Sequence, residues 1–484
     1  MTRATTGARG KSPLESLLNV FTEVRAGEGV TAILLTLNVF LLLTTYYIIK
    51  PVREALILAG GEGGAEIKSY AAAGQAILLL GAVPAYAAIA SRVSRRRLIN
   101  TVTIFFVGCL VLFYSLAKAH TPYIGVIFFL WVGIFNLMVI AQFWSFANDI
   151  YTPEEGKRLF AIIAFGASAG AAMGSLVLGG VIKQLGVAEP LLIAAAVLGA
   201  SLLITNLVDR RERAATHGSV APATPGATAS ASSAPPSTKR AGSSQSIGKE
   251  GAFQLVLRKR YLLLIALLIL FLNWVNTTGE YILGRTVKAA AESAVAAGST
   301  GGMDEGQFIG KFYSDFFLVV NLLGLAIQLL LVSRIIKWFG VRIAILLLPI
   351  IALGGYTLLA FYPVLSVVRW IKTAENATDY SLNNTVRHAL FLPTTREEKY
   401  KAKQAIDSFF QRAGDVLSAG LVFAGTTWLA FDTQHFALVN LVLVAVWLVL
   451  AVWVGRENRR ATESEPATVG RAPSSQGETA SATA

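Results

Sequence analysis

Charge is scarce in this chain. Of its 484 residues only 15% are Asp, Glu, Lys or Arg, while 54% are hydrophobic. An ordinary soluble domain is about one-quarter charged, so that class is excluded. Cysteine is nearly absent: Cys109 stands alone, which excludes an internal disulfide framework and a cysteine-based zinc site. The four histidines (His120, His217, His388 and His435) are too scattered to offer ligand spacing, so neither metal nor cofactor is expected. No G-x-x-x-x-G-K-[ST] loop occurs, so no ATPase motor of that class is expected. No nucleophile–base arrangement points to an enzyme. Residues 1–30 are polar and no A-x-A pattern follows the first apolar run, so a cleavable signal peptide is not expected either.

What the chain does have is repeated apolar runs of about 20 residues, each long enough to cross a bilayer. We read twelve spans, near 31–50, 69–90, 99–118, 122–148, 159–183, 187–207, 260–284, 311–336, 341–361, 364–390, 404–431 and 434–455. Residues 1–30 read as a cytoplasmic segment, 31–208 and 259–455 as six-helix bundles, 209–258 as a disordered linker and 456–484 as a disordered tail. The linker is rich in Ser, Ala, Pro, Thr and Gly and has too little apolar surface to bury a core. With the N-terminus inside, 30 of the 42 Lys and Arg residues fall on the cytoplasmic side, eight on the other and four within spans. That bias puts both termini in the cytoplasm of an inner-membrane protein. The same loop charges explain the net charge of +13, so the expected partner is the bilayer and not nucleic acid. A monomer is expected.

The two sets of spans repeat. Ser91-Arg92 follows span two as Ser333-Arg334 follows span eight, and Thr152–Glu155 (TPEE) precedes span five as Thr395–Glu398 (TREE) precedes span eleven. The offsets, 242 and 243, are nearly equal. Order and offset together indicate parallel six-plus-six repeats. The expected fold is therefore an all-α membrane protein with twelve transmembrane helices, of major-facilitator type. In that fold spans 1, 4, 7 and 10 line a midplane cavity, and here they are polar. Span 4 carries Asn136, Gln142, Ser145, Asn148 and Asp149; span 7 carries Asn273, Asn276, Thr277, Thr278 and Glu280. Gly166, Gly170 and Gly174 of span five, spaced by four, read as a close helix contact.

Span ten carries Arg369, Lys372, Asn376, Asp379, Asn383 and Arg387, spaced 3, 4, 3, 4 and 4. Regular α-helix puts these on one stripe. Ionised groups facing lipid are costly, so the stripe is expected to face protein or a watery path. Its cations suit phosphate or carboxylate. Lys50, Arg53 and Glu280 are its expected companions, although Lys50 and Arg53 also fit a snorkelling role, and Arg369, Lys372 and Arg387 also fit structural pairing with Asp379 or Glu375. A gate is expected where two cytoplasmic turns oppose. Asp149, Glu154, Glu155, Lys157 and Arg158 would meet Glu397, Glu398, Lys401, Lys403 and Asp407 across the halves.

Three stretches carry a resemblance: YYIIKPVREALIL (Tyr46–Leu58), FWSFANDIYTPEEGKRLFAIIAFGASAG (Phe143–Gly170) and DYSLNNTVRHALFLPTTREEKYKAKQAID (Asp379–Asp407). They are similar to the ADP/ATP translocase (nucleotide transporter) family of plastids and intracellular bacteria, which is distinct from the mitochondrial carrier. The resemblance implies twelve spans and exchange of nucleotides such as ATP for ADP, with proton symport in some members and phosphate or protons as coupling ions. It implies functional charges at Lys50, Arg53, Glu155, Glu280, Arg387, Lys401 and Lys403. The chain departs from the family at the end of span one. The family has Arg-Asp-Thr-Lys-Asp, and here Pro51 replaces an acid in Lys50-Pro51-Val52-Arg53-Glu54. The linker is a further departure. The expected function is secondary active transport of adenine nucleotides or related phosphorylated anions, with another organic anion, or a non-transporting sensor or scaffold, as the alternatives.

Overall fold

The computed structural model describes residues 24–25, 28–90, 92–218, 251–395 and 397–463. Most of the expected N-terminal segment and the middle of the expected linker, 219–250, lie outside these residues. The described residues are helical, in twelve rods: α1 (Gly29–Leu58), α2 (Gly64–Ala90), α3 (Arg95–Lys118), α4 (Ile124–Ile150), α5 (Pro153–Leu185), α6 (Pro190–Gly218), α7 (Arg260–Ala296), α8 (305–339), α9 (341–361), α10 (365–389), α11 (398–427) and α12 (Thr433–Glu463). A short helix, Ala252–Arg258, precedes α7. The α8–α9 junction is a sharp break at Gly340, whose φ of 72° suits a residue without a side chain.

Among the described residues nine helices are long and apolar enough to cross a membrane, one of them the continuous 305–361 stretch that holds α8 and α9. The other two rods, α10 and α11, are interrupted by π-helical turns at Asp379–Asn383, Glu398–Ala402 and Ile406–Phe410. Large apolar side chains such as Ile104, Phe105, Leu203, Leu329, Val442 and Trp453 stand exposed on the outer faces of the rods. Patches of that extent belong against lipid. The protein is a multi-pass membrane protein.

Folded structure extends into segments expected to be disordered. Helix α6 runs to Gly218 because Asp209, buried at its lower end, holds Arg95 at 3.4 Å and Arg213 at 3.1 Å. Helix α12 runs to Glu463, where Arg459–Glu463 and Arg460–Glu457 pairs at helical spacing support its last turns.

The glycine run of α5 lies on α1. A Cβ at Gly166, Gly170 or Gly174 would collide with the backbone at Thr36, Phe40 or Thr44 respectively, so three glycines four apart match three α1 residues four apart. Thr44 also donates to the carbonyl of Gly170 at 3.2 Å. The two sets of six helices meet at the end of the bundle away from the termini. There Gln307 donates to the carbonyls of Ile182 and Lys183, both at 3.2 Å. Tyr281 donates to Glu66 at 2.8 Å, and Lys288 donates to the Gly61 carbonyl.

Replacing Gly170 by Val forces α1 and α5 apart. The expected cost is roughly 1–3 kcal/mol, read as a lower melting temperature of the detergent-purified protein, with Gly180→Val, at a glycine with open space around it, as the unaffected control.

Candidate functional site

A cavity of about 200 Å³ lies between the two halves. Helix α1 supplies Lys50 and Arg53, α2 supplies Lys68 and Gln75, and α4 supplies Phe129. Across from them are Asn276, Thr277 and Glu280 of α7, Phe317 of α8, Tyr380 of α10, and Arg412 and Asp415 of α11.

Most charges around it are paired. Arg53 bonds Glu54, and Lys68 contacts Glu54 at 2.7 Å and Glu280 at 4.0 Å. The second of these contacts joins the halves. Arg412 lies 3.2 Å from Asp415, which also accepts from Thr277 at 2.7 Å. Lys50 differs. It is 8% exposed and has no ion pair or hydrogen bond among the described residues. Its ammonium rests instead 3.9 Å from the centroid of Phe317, with the rings of Tyr47 and Tyr380 at 5.2 and 5.7 Å. Ring faces attract a cation but leave its hydrogens unbonded. An anion entering the cavity would find that ammonium unclaimed.

The expected single stripe on α10 is divided three ways. Arg369 stands apart from the cavity, over Phe312 and Trp370 at 5.6 and 5.9 Å. Lys372, Asn376 and their neighbour Glu375 turn to α7. Lys372, 1% exposed, donates to Glu375 at 2.9 Å and to Asn276 at 2.8 Å and lies 3.6 Å from Glu280. Asn376 donates to Glu280 at 3.1 Å. Asn383 then bonds back to Asp379 at 2.6 Å, and Arg387 turns to α11, meeting Gln411 at 3.3 Å and Asp407 at 3.6 Å. The π-helical turn at Asp379–Asn383 explains the departure of Arg387. It holds more residues per turn than α-helix, so residues beyond it rotate off the earlier face. Lys372 is therefore a structural cation and not a free one.

Span 4 was expected to contribute its polar residues, but Phe129 is what lines the cavity. Gln142 is buried elsewhere, and Asp149 pairs with Arg95 at 3.2 Å near the terminal end. Lys68 is among the lining residues that the expected site lacks, and Lys68, Ala72 and Gln75, spaced 4 and 3, share the lining face of α2.

Several residues of the expected gate have partners within their own halves. Arg158 grips Glu28 through two bonds, at 2.9 and 3.2 Å. Lys401 pairs with Glu397 at 3.0 Å, Lys403 bonds Asp407, and Lys259 bonds Glu398. Glu154 is exposed, and the side chain of Lys157 lies outside the described residues. The TPEE and TREE repeat has a local cause. Thr152 N–H donates to Glu155 at 2.9 Å while Glu155 N–H donates to the Thr152 hydroxyl at 3.4 Å. Thr395 and Glu398 do the same at 2.8 and 3.4 Å. Both are reciprocal caps that satisfy orphan N–H groups at a helix start. Partial burial pushes the Glu398 carboxyl up, but bonds from Lys259 and the Thr395 N–H outweigh it and hold it below the usual carboxylate range.

Comparison with solved structures defines the class. The nucleoside transporter NupG superposes with a TM-score of 0.60 at 12% identity, over 89% of this chain and 99% of that one. A bacterial homologue of the human lysosomal transporter Spinster, inward-facing and unoccupied, gives 0.56 at 13% identity over 93% and 99%. The fold is the all-α, two-bundle fold of major-facilitator type. In sequence, the chain is similar to ADP,ATP carrier protein 1 of Chlamydia pneumoniae, 24% identical over 349 residues, or 65% of this chain and 64% of the relative. The match thus spans under two-thirds of that relative's length. No family model matches the chain. These proteins are carriers and transporters, not enzymes.

Removing Lys372 alone leaves Glu280 and Glu375 without their shared cation. Lys372→Met is expected to cost roughly 3 kcal/mol or more, and Lys372→Met with Glu375→Leu much less, a non-additivity read in a double-mutant cycle of melting temperatures.

Proposed function

We propose that this chain is a secondary transporter that binds an adenine nucleotide or a related phosphorylated organic anion and moves it by alternating access. The observation that carries this reading is Lys50, a buried ammonium at the cavity wall with ring faces around it and no anionic partner among the described residues. Lys50 would hold a phosphate, with Arg53 and Arg412 near enough to share its charge. Arg and Lys bind phosphate by charge-assisted hydrogen bonds. Phe129, Phe317 and Tyr380 supply flat apolar surface of the kind on which a purine stacks. The name of the Chlamydia relative, an ADP,ATP carrier, supports the same substrate class.

In this reading 31–208 and 259–455 are bundles that rock about the cavity. Contacts of α5 with α8 and of α1 and α2 with α7 close the end away from the termini. The bias of Lys and Arg supports a cytoplasmic location for the other end, in a bacterial inner membrane. The substrate would exchange against a second nucleotide, or enter with protons or phosphate as coupling ion. Glu155, Lys401 and the other turn residues would act by fixing helix starts within each half.

The purified protein in liposomes is expected to take up labelled ATP when loaded with ADP or placed under a pH gradient, with no uptake by folded protein counting against the reading. Lys50→Gln is expected to weaken ATP binding roughly tenfold or more, from the ~1.5–3 kcal/mol of a hydrogen bond to a charged group. Titration calorimetry or ATP-induced thermal shift reads this, and unchanged affinity would remove Lys50 from the site.

A further inference from the structure

Behind the main cavity is a second, much smaller one of about 10 Å³. That is room for about one water-sized species. Leu272, Val275, Leu348, Ala352 and Trp447 make most of its wall, and the polar groups on it are Asn276, Glu375 and Asp379. Glu375 is 5% exposed. Its Oε2 accepts from Lys372 at 2.9 Å and from the Tyr356 hydroxyl at 3.4 Å. Its Oε1 is buried and has no partner among the described residues. A bare carboxylate oxygen against an apolar wall is among the costliest arrangements a membrane interior allows. A proton on that oxygen removes the cost. A metal ion does not suit the space: hard cations need six or more oxygens, and here Asn276 already accepts from Lys372 and Asp379 from Asn383.

We propose that Glu375 is a proton-binding site that couples proton movement to substrate binding in the main cavity. The proposal deepens the transport reading above and rests on it. Asn276 lines both cavities, and Asp379, one turn along α10 from Glu375, shares the small one. A water in the small cavity, which has room for one, would deliver the proton: one of its O–H bonds breaks as an O–H bond forms on Glu375 Oε1, and the reverse exchange releases it.

The coupling runs through Lys372, which Glu375 and Glu280 share at 2.9 and 3.6 Å. With Glu375 ionised, the ammonium is divided between two carboxylates. With Glu375 protonated, it serves Glu280 alone. Glu280 is then neutralised and loosens its 4.0 Å hold on Lys68, a cation in the wall of the main cavity. Lys68 keeps its 2.7 Å contact with Glu54, but with one carboxylate fewer answering it the cavity wall becomes more positive toward an anion, and by reciprocity a bound anion favours the proton. The groups facing Glu375 are Lys372 and Asp379 on its own helix, Glu280 from α7 and Tyr356 from α9. From α12 the small cavity receives Trp447. On α8, Lys311 and Asp315 pair with each other at 2.6 Å and turn towards Gly179 of α5. The π-helical turn that begins at Asp379 is a feature frequent at functional sites.

The test is pH-difference infrared spectroscopy of the full-length protein in lipid, without substrate. A buried carboxylic-acid carbonyl band is expected to grow as pH falls and to be lost in Glu375→Gln, while Glu66→Gln leaves it in place. No such band in the wild type, or a band unchanged in Glu375→Gln, overturns the proposal. Labelled ATP uptake into liposomes is the second arm. Acceleration by an imposed pH gradient is expected in the wild type and its abolition in Glu375→Gln, with ADP exchange retained. Gradient-driven uptake persisting in the folded variant overturns the coupling. If ATP neither binds nor moves while the infrared band still depends on Glu375, the proton site stands and the nucleotide assignment fails, so the two failures are distinguishable.

Discussion

One ammonium group, that of Lys372, lies among two carboxylates in the apolar middle of the second half. Charge is so expensive there that each ion must be answered within a few ångströms. Lys372 answers Glu375 on its own helix and Glu280 on α7, and Glu280 in turn approaches Lys68 of the first half. Lys68 bonds Glu54, and Glu54 bonds Arg53. The result is a chain of alternating signs that runs from α10 to α1 and crosses the boundary between the halves once. Every cation along it is already engaged, whereas Lys50 at its side has no ion pair among the described residues, and the proposed binding role rests on that difference.

A chain of this kind is suited to two roles. It ties the halves while they are closed at one end, and it passes a change of charge from one end to the other. The Lys68–Glu280 contact is its long member at 4.0 Å, the place where the least energy separates the halves. Contacts around it are of another character: glycine against backbone between α1 and α5, and side chain to carbonyl between α5 and α8. Packing of the first kind holds a bundle together, whereas a few polar bonds across a boundary can be exchanged for others at little cost.

Much of the architecture was legible because a bilayer restricts what a chain can be. The apolar runs mark the helices, and the fold follows from the six-plus-six repeat. Two local motifs carried more than their length suggests. The glycines at 166, 170 and 174 gave a helix contact, and its partner became visible only when α1 lay alongside. The TPEE and TREE turns gave the repeat, but were expected to meet across the halves. Their likeness has a local cause, since a threonine and a glutamate three residues apart at a helix start satisfy each other's backbone N–H groups.

The sequence by itself determined the environment, the helical class, the doubled plan and the presence of cations where hydrocarbon was expected. Those properties depend on composition and on spacing within single helices. Which cations are free was decided by tertiary structure, because pairing is a matter between helices. Lys372 looked like a ligand group and is claimed by Glu375 and Glu280, whereas Lys68, outside the expected site, lines the cavity. Arg387 left the common stripe because five π-helical residues turned the face of α10 midway. A periodicity read from sequence assumes an unbroken helix, and the polar segment of α10 is where that assumption fails.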